Sequence, residues 1–240
     1  MKVNVCVTAF NEERNIPSLV NLMKEIVSKC SDVGFVLVDN GSSDGTYECL
    51  KELKFLLADV NVLQLQSNQL YGGGMKHAIL ESSQNHVCLI PADNQYSAND
   101  IVTCIESYRL HMRSDQNRSL AVIGRRRKRS DPLTIRIMSW FYSELARISL
   151  GLPRLDINGL PKVFDRSLVP VQLLENLPNN PVFDAALLAA LHRRGCKFFE
   201  TSVAYKERAI GQSSWSNRRI RFAWRMFRNL MKARRKLRQK

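Results

Sequence analysis

The first nine or so residues, KVNVCVTAF, alternate between valine-rich apolar and other positions, the period-two pattern of a β-strand. In NEERNIPSLVNLMKEIVSKC the period changes. Ile16, Leu19, Val20, Leu22, Met23, Ile26 and Val27 recur at helical spacing, so a helix follows the strand through Asn11 and Glu12. The same succession returns down the chain. GFVLVDNGSSDGT predicts a strand and turn, YECLKELKFLLAD a helix, VNVLQLQ a strand, and YGGGMKHAILESS a glycine turn running into a helix. VCLI and LAVIG predict two further strands. Strands alternating with helices predict an α/β fold, with a central, mostly parallel sheet covered by helices on both faces.

After Gly124 the pattern loosens. RRRKRSDP predicts a basic loop and LTIRIMSWFYSELARISLGL a long helix ending at glycine and proline. LDINGLPKVFDR is turn-rich, PVFDAALLAALHRRG predicts a helix closed by Gly195, and CKFFETSVAY a strand. No internal repeat or low-complexity linker divides the chain. The expectation is one catalytic domain over residues 1–215, with a basic amphipathic helical tail over 216–240.

Composition narrows the class. With 240 residues and 45% apolar content, the chain can bury a sizeable core, which excludes overall disorder. No run approaches the roughly 18 uninterrupted apolar residues of a membrane-spanning helix. Asn11, Glu12 and Glu13 come too early for a signal peptide, so a cytoplasmic protein is expected. Cys6, Cys30, Cys49, Cys88, Cys104 and Cys196 form no CxxC pair and read as reduced packing residues. His77, His86, His111 and His192 show no metal-ligand spacing.

Polar clusters follow several strands on one predicted edge: Asn11 and Glu12, then DNGSSDGT from Asp39 to Thr46, then Asp93 and Gln95. That edge of an open α/β sheet is where ligands bind. Carboxylates converging there suit a nucleotide, whose base, ribose and divalent metal all take oxygen ligands. Taken singly, each motif reads better as a solvated turn, with Asp44 capping the next helix. Their order along the chain favours the site.

That order resembles family 2 glycosyltransferases of the GT-A (Rossmann-like) fold, and most of all the branch containing dolichyl-phosphate mannose synthase and bacterial polyprenyl-phosphate glycosyltransferases. TAFNEERNI is similar to T-Y-N-E-x-x-N-I, LVDNGSSDGT to V-D-D-G-S-x-D-G-T, and YGGGMKHAI to the glycine-rich G-x-G-x-A-x-x-x-G segment. IPADNQYS falls where the family has D-A-D-L-Q, and IGRR resembles G-S-R. DINGLPKVFDR is similar to D-x-x-(S/N)-G-x-(K/R)-x-F, and FETSVAYKERAIGQSSW to E-V-P-V-x-Y-x-x-R-x-x-G-x-S. The match spans residues 3 to 215.

The resemblance implies an inverting hexosyltransferase that moves a sugar from a nucleotide-sugar to a polyprenyl phosphate, with a sugar hydroxyl as the alternative acceptor. It implies Mg²⁺ or Mn²⁺ on Asp93 and Gln95, with Pro91 standing where the family has its first acid. Phe10, Asn11, Glu12, Asp39, Gly41, Ser42, Asp44, Gly72, Gly74, Lys76 and Asp93 would form the nucleotide-sugar site. Arg125, Arg136, Arg208 and Ser213 would grip phosphates, because guanidinium forks match phosphate oxygens. Asp93, Arg208 and Asp184 are the candidate catalytic residues, and a simple helix cap is an equal reading of Asp184. Asn40 departs from the family's second Asp, and Ala186 occupies a frequent glutamate position.

The net charge of +14 changes the picture at one end. Eleven of the 36 Lys and Arg lie between Ser216 and Lys240, where there is no acid. Ile220, Ala223, Trp224, Phe227, Leu230 and Met231 recur there at helical spacing. Such a helix can lie on an anionic membrane surface, and the expectation is a peripheral protein on the inner face of the membrane. Packing of the tail on its own domain or on a second subunit is the alternative, and the protein as a whole would work alone, as a homo-oligomer or with a membrane-protein partner. Nucleic-acid binding is the rival class for so basic a chain, yet no recognisable nucleic-acid module accompanies the charge. A non-catalytic scaffold is the third reading, against which the retained Asp93, Gln95, Arg208 and Ser213 argue.

Overall fold

The computed structural model describes residues 1–114, 119–127, 133–204 and 219–238, the side chains of 133–135, 219–225 and 238 aside. The strands are β1 (Val3–Ala9), β2 (Val33–Asp39), β3 (Val60–Gln64), β4 (His86–Pro91), β5 (Leu120–Arg127), β6 (Lys162–Asp165) and β7 (Lys197–Ala204). The helices are α1 (Ile16–Lys29), α2 (Thr46–Leu56), α3 (Leu70–Leu80), α4 (Ala98–Ser114), α5 (Leu133–Leu150), α6 (Val171–Asn176), α7 (Phe183–Arg193) and α8 (Arg219–Arg238).

One sheet of seven strands runs in the order β3-β2-β1-β4-β6-β5-β7. From β1 the chain builds outward through β2 and β3, then crosses back to lay β4 on the other flank of β1. That reversal makes the gap between β1 and β4 a topological switch point, the place where an open α/β sheet accepts a ligand beyond its carboxyl ends. Every residue of β2 is buried, as expected of a strand covered on both faces.

The sheet is mixed. β6, whose sequence reads as turn, slots between β4 and β5 and runs antiparallel to both. Its insertion leaves β5 and β7 parallel to β4, so the carboxyl ends of β1, β2, β4 and β5 share one edge. The close approach that allows this needs Gly124. A Cβ there would lie 2.2 Å from the Leu160 carbonyl oxygen, while the Gly124 amide donates to the Pro161 carbonyl at 2.8 Å.

Helix α7 is interior, with every residue from Phe183 to Leu191 buried. It packs on α3, α5 and α8. Met226, Leu230 and Ala233 of α8 join the core, and Arg193 donates to the Leu237 carbonyl. The tail helix therefore turns one apolar side inward onto its own domain, while Phe227 is exposed. This corrects the expectation that Leu230 faces a bilayer. Trp224, Ile220 and Ala223 have side chains outside the described set. The six cysteines are free, and burial pushes the Cys104 and Cys196 thiols up to about 12, as suits packing residues.

Candidate active site

The loop after β1 is laced to the loop after β2. Asn11 adopts a left-handed backbone, φ 55°, and its carboxamide accepts from the Ser43 amide at 2.9 Å. The Asn11 amide donates to Ser42 Oγ at 2.9 Å and the Glu12 amide to Thr46 Oγ1 at 2.9 Å. Glu12 also accepts from the Asn15 side chain. Asp44 takes the Thr46 amide at 3.1 Å, the Thr46 hydroxyl at 2.5 Å and the Glu13 amide at 3.3 Å. Its slight burial works to raise the Asp44 carboxyl, but these donors outweigh it and hold the group below the usual carboxylate range. Asp44 is engaged in shaping the loop. The tight turn needs Gly41, at φ 73°, where a Cβ would meet the Ser67 backbone at 2.4 Å.

Asp39 ends β2 fully buried. One oxygen accepts from the Ser42 amide at 3.1 Å and the other has no hydrogen-bond partner. Thr8 Oγ1 and Asn94 Oδ1 are likewise buried and unsatisfied. A buried polar atom left unpaired costs about 1–3 kcal/mol, and the free oxygen of Asp39 stands at the carboxyl end of β2, the edge where an open α/β sheet accepts a ligand. Phe10 stands exposed at the same edge, with an open face for a base.

Asn40 explains its own departure from the family's Asp. Its Nδ2 donates to the Leu70 carbonyl at 3.0 Å while its Oδ1 accepts the Gln69 amide at 3.0 Å. An Asp carboxylate could not make the first bond. Gly72 and Gly74 sit in the first turns of α3. A Cβ on Gly72 would lie 2.5 Å from the Pro178 carbonyl, and one on Gly74 would lie 2.1 Å from Thr8 Oγ1. The glycines thus seat α3 against β1 and the loop before α7. Lys76 reaches the carbonyls of Leu177 at 3.0 Å and Glu175 at 3.1 Å, at the end of α6.

Asp93 and Gln95 follow β4, both buried, with Asn94 between them at φ 55°. The Gln95 amide donates to Asp93 Oδ1 at 3.4 Å. Asp184 lies in the first turn of α7, whose N-cap is Val182, so it is not a cap. Instead Lys162 Nζ lies 2.9 Å from Asp184 Oδ1 and donates to the Gly159 carbonyl at 2.7 Å. Tyr71 and Tyr142, both with buried hydroxyls, lie beside Asp184. Burial first, then the Asp184 charge, pushes both phenols above their ordinary value, and Tyr71 also feels Tyr96 and Asp93. Asp93 and Asp184 therefore belong to one electrostatic cluster. Lys162 is the residue that reasoning from sequence passed over. A lysine inside LPKVF is the signal, because an amine on an apolar strand needs a buried acid. The frequent glutamate position, Ala186, is fully buried.

Arg125 and Arg136 line one cavity of about 810 Å³ with Arg126, Arg147 and Arg154, and its wall includes Ile137 and Trp140. Arg126 forks onto Asp156 at 2.9 and 2.7 Å. Burial would raise the Asp156 carboxyl, but Arg126 outweighs it and holds the group below its usual range. Arg125 approaches Glu200 at 3.7 Å and Arg147 pairs with Glu144 at 2.8 Å. No ion pair joins Arg136 or Arg154 to another described residue. Arg208 and Ser213 lie outside the described residues.

A parallel-rich sheet whose order reverses between β1 and β4 is the frame in which α/β folds bind nucleotides. The chain belongs to glycosyl transferase family 2, whose model matches residues 4–170. It is 24% identical over 225 residues to the undecaprenyl-phosphate 4-deoxy-4-formamido-L-arabinose transferase of Proteus mirabilis, covering 90% of this chain and 63% of that one. With the same enzyme of Salmonella choleraesuis it is 25% identical over 228 residues, covering 91% and 64%. The chain thus spans less than two thirds of the length of these relatives. Among solved structures it superposes on a mannosyltransferase from Pyrobaculum calidifontis in complex with GDP-Man and Mn²⁺, with TM-score 0.65 and 16% identity, covering 100% of this chain and 64% of that one. It also superposes on glucosyl-3-phosphoglycerate synthase from Mycobacterium tuberculosis in complex with Mn²⁺, UDP-Glc and phosphoglyceric acid, with TM-score 0.62 and 17% identity, covering 97% and 79%. Both share its GT-A fold.

Proposed function

We propose that this protein transfers a sugar, with inversion, from a nucleotide-sugar to a polyprenyl phosphate such as dolichyl or undecaprenyl phosphate. The observation that carries the reading is the 810 Å³ cavity, where five arginines share the wall with Ile137 and Trp140. An amphiphile with a phosphate head and an apolar chain fits such a lining. The undecaprenyl-phosphate transferases among its relatives agree with that acceptor.

The donor base would lie against Phe10 with Asp39 as its hydrogen-bond partner. Among the described residues no cluster of three or more His, Cys, Asp or Glu could hold an ion. One carboxylate and one amide oxygen, from Asp93 and Gln95, still suit Mg²⁺ or Mn²⁺, since hard ions commonly take their other ligands from phosphates and water. Such an ion would neutralise charge on the leaving diphosphate. A phosphate oxygen of the acceptor attacks the anomeric carbon, the bond from that carbon to the diphosphate breaks, and the nucleoside diphosphate departs with the electron pair. Arg125 and Arg136 orient the acceptor phosphate. That nucleophile is already ionised and needs no strong base.

A sugar-hydroxyl acceptor is the second reading, favoured by Asp184. A hydroxyl must lose a proton, and Asp184 is a carboxylate placed in the same cluster as Asp93. Melting temperature measured with UDP-, GDP- and dTDP-sugars, with and without Mn²⁺, tests the donor half. A metal-dependent rise with one nucleotide is expected, and no rise with any of them contradicts it.

A further inference from the structure

We propose that the outward side of α5 is a docking surface for an anionic lipid bilayer. Ser139, Tyr142, Ala146 and Leu150 form the inner side of this helix. On the opposite side Ile137, Trp140, Phe141 and Ile148 are between 56% and 70% exposed. These four recur at helical spacing, so they form one stripe rather than scattered contacts. Other exposed large apolar residues, such as Leu110 and Val171, stand apart on other helices. Glu144, paired to Arg147, sits on that side between Phe141 and Ile148, and an apolar stripe of this length left in water marks an interaction surface.

Charge identifies what covers it. Arg136 and Arg147 lie on the same helix, Arg154 follows just beyond it, and Arg125 and Arg127 are exposed at the end of β5. Glu144 is the one acid of α5, and Arg147 pairs with it. Trp and Phe beside arginines form the composition of a helix lying in the headgroup region, with rings in the acyl boundary and guanidinium groups on lipid phosphates. Ile137 and Trp140 belong both to the stripe and to the arginine cavity, so this docking turns the cavity mouth toward the lipid. The bilayer contact thereby passes from α8, whose Met226, Leu230 and Ala233 are committed to the core, to α5. The inference deepens the lipid-acceptor reading, but vesicle binding is read without turnover, so either can fail alone.

The test is co-sedimentation of the full chain with phosphatidylcholine vesicles containing or lacking phosphatidylglycerol. Phe141→Ser/Ile148→Ser removes two exposed stripe residues that do not line the cavity, and Phe55→Ser on α2 is the control. The full chain and the control should bind the anionic vesicles, more weakly at high salt. The double variant should bind them roughly tenfold or more weakly, with its melting temperature unchanged. Equal binding by the double variant overturns the proposal. So does a chain that ignores vesicles but forms dimers which the double variant dissolves, because a second copy is then the occupant.

Discussion

Lys162 Nζ and Asp184 Oδ1 meet at 2.9 Å in the interior, one from a strand of four residues and the other from the first turn of a buried helix. A buried ion pair is costly to assemble and costlier to break, because removing one partner leaves the other charge unpaired. Lys162→Met alone should lower stability by about 3–5 kcal/mol. Lys162→Met/Asp184→Asn should recover a large part of that, since no lone charge remains. Urea denaturation of the three proteins checks this, and a double variant no more stable than the single one would show that the pair is not what burial opposes.

Asp93 holds the carboxylate of the proposed ion site. Asp93→Asn keeps the shape and removes the charge, so turnover should fall by roughly two orders of magnitude or more while the fold persists. The Mn²⁺ concentration needed for half-maximal rate should rise in parallel. Turnover that survives EDTA in the parent protein would show that Pro91 marks a site working without metal.

Gly74→Ala sets two effects against each other. Alanine is better than glycine inside a helix by about 1 kcal/mol, but its methyl would lie 2.1 Å from Thr8 Oγ1 on β1. Overpacking of this kind costs about 1–3 kcal/mol, so a net loss of stability is expected. Since Thr8 lies at the end of β1, the nucleotide-induced rise in melting temperature should shrink as well.

Asp156 carries the acid dependence of the cavity wall. Its folded-state carboxyl lies below the unfolded value of 3.8, so its stabilisation is present above that value and is lost as pH falls through the folded one. Between about pH 5 and pH 2 the melting temperature of Asp156→Asn should therefore fall less steeply than that of the parent. Parallel curves would contradict the Arg126 pairing.

The strands and helices up to Leu80 were legible because each carries its own period and its polar tip falls at a strand end. β6 was not, since four residues set between strands far apart in sequence leave no local signal. α4 went unread although Ile101, Cys104, Ile105 and Tyr108 keep helical spacing, because exposed Leu110 and interleaved polar residues blur its stripe. In α8 an amphipathic pattern looks the same whether lipid or protein covers it, so Leu230 could be placed only by its neighbours. In α5 apolar residues ring much of the helix, and periodicity does not say that Tyr142 faces in and Trp140 out. The polar tips at Asp39 and Asp93 were readable as the ends of strands at one edge of the sheet. Lys162 and Tyr71 were not, because their roles arise from groups brought together across the fold.

The central claim is transfer of a sugar to a lipid phosphate through the arginine cavity. The direct measurement incubates the protein with Mn²⁺, undecaprenyl phosphate in detergent and radiolabelled nucleotide-sugars, and counts label entering the organic phase. Label should enter that phase with one donor, fall by roughly tenfold or more in Arg136→Ala, whose guanidinium would grip the acceptor phosphate, and vanish when the lipid lacks its phosphate. Label that stays in the aqueous phase with every donor, or transfer that Arg136→Ala leaves unchanged, would contradict the account.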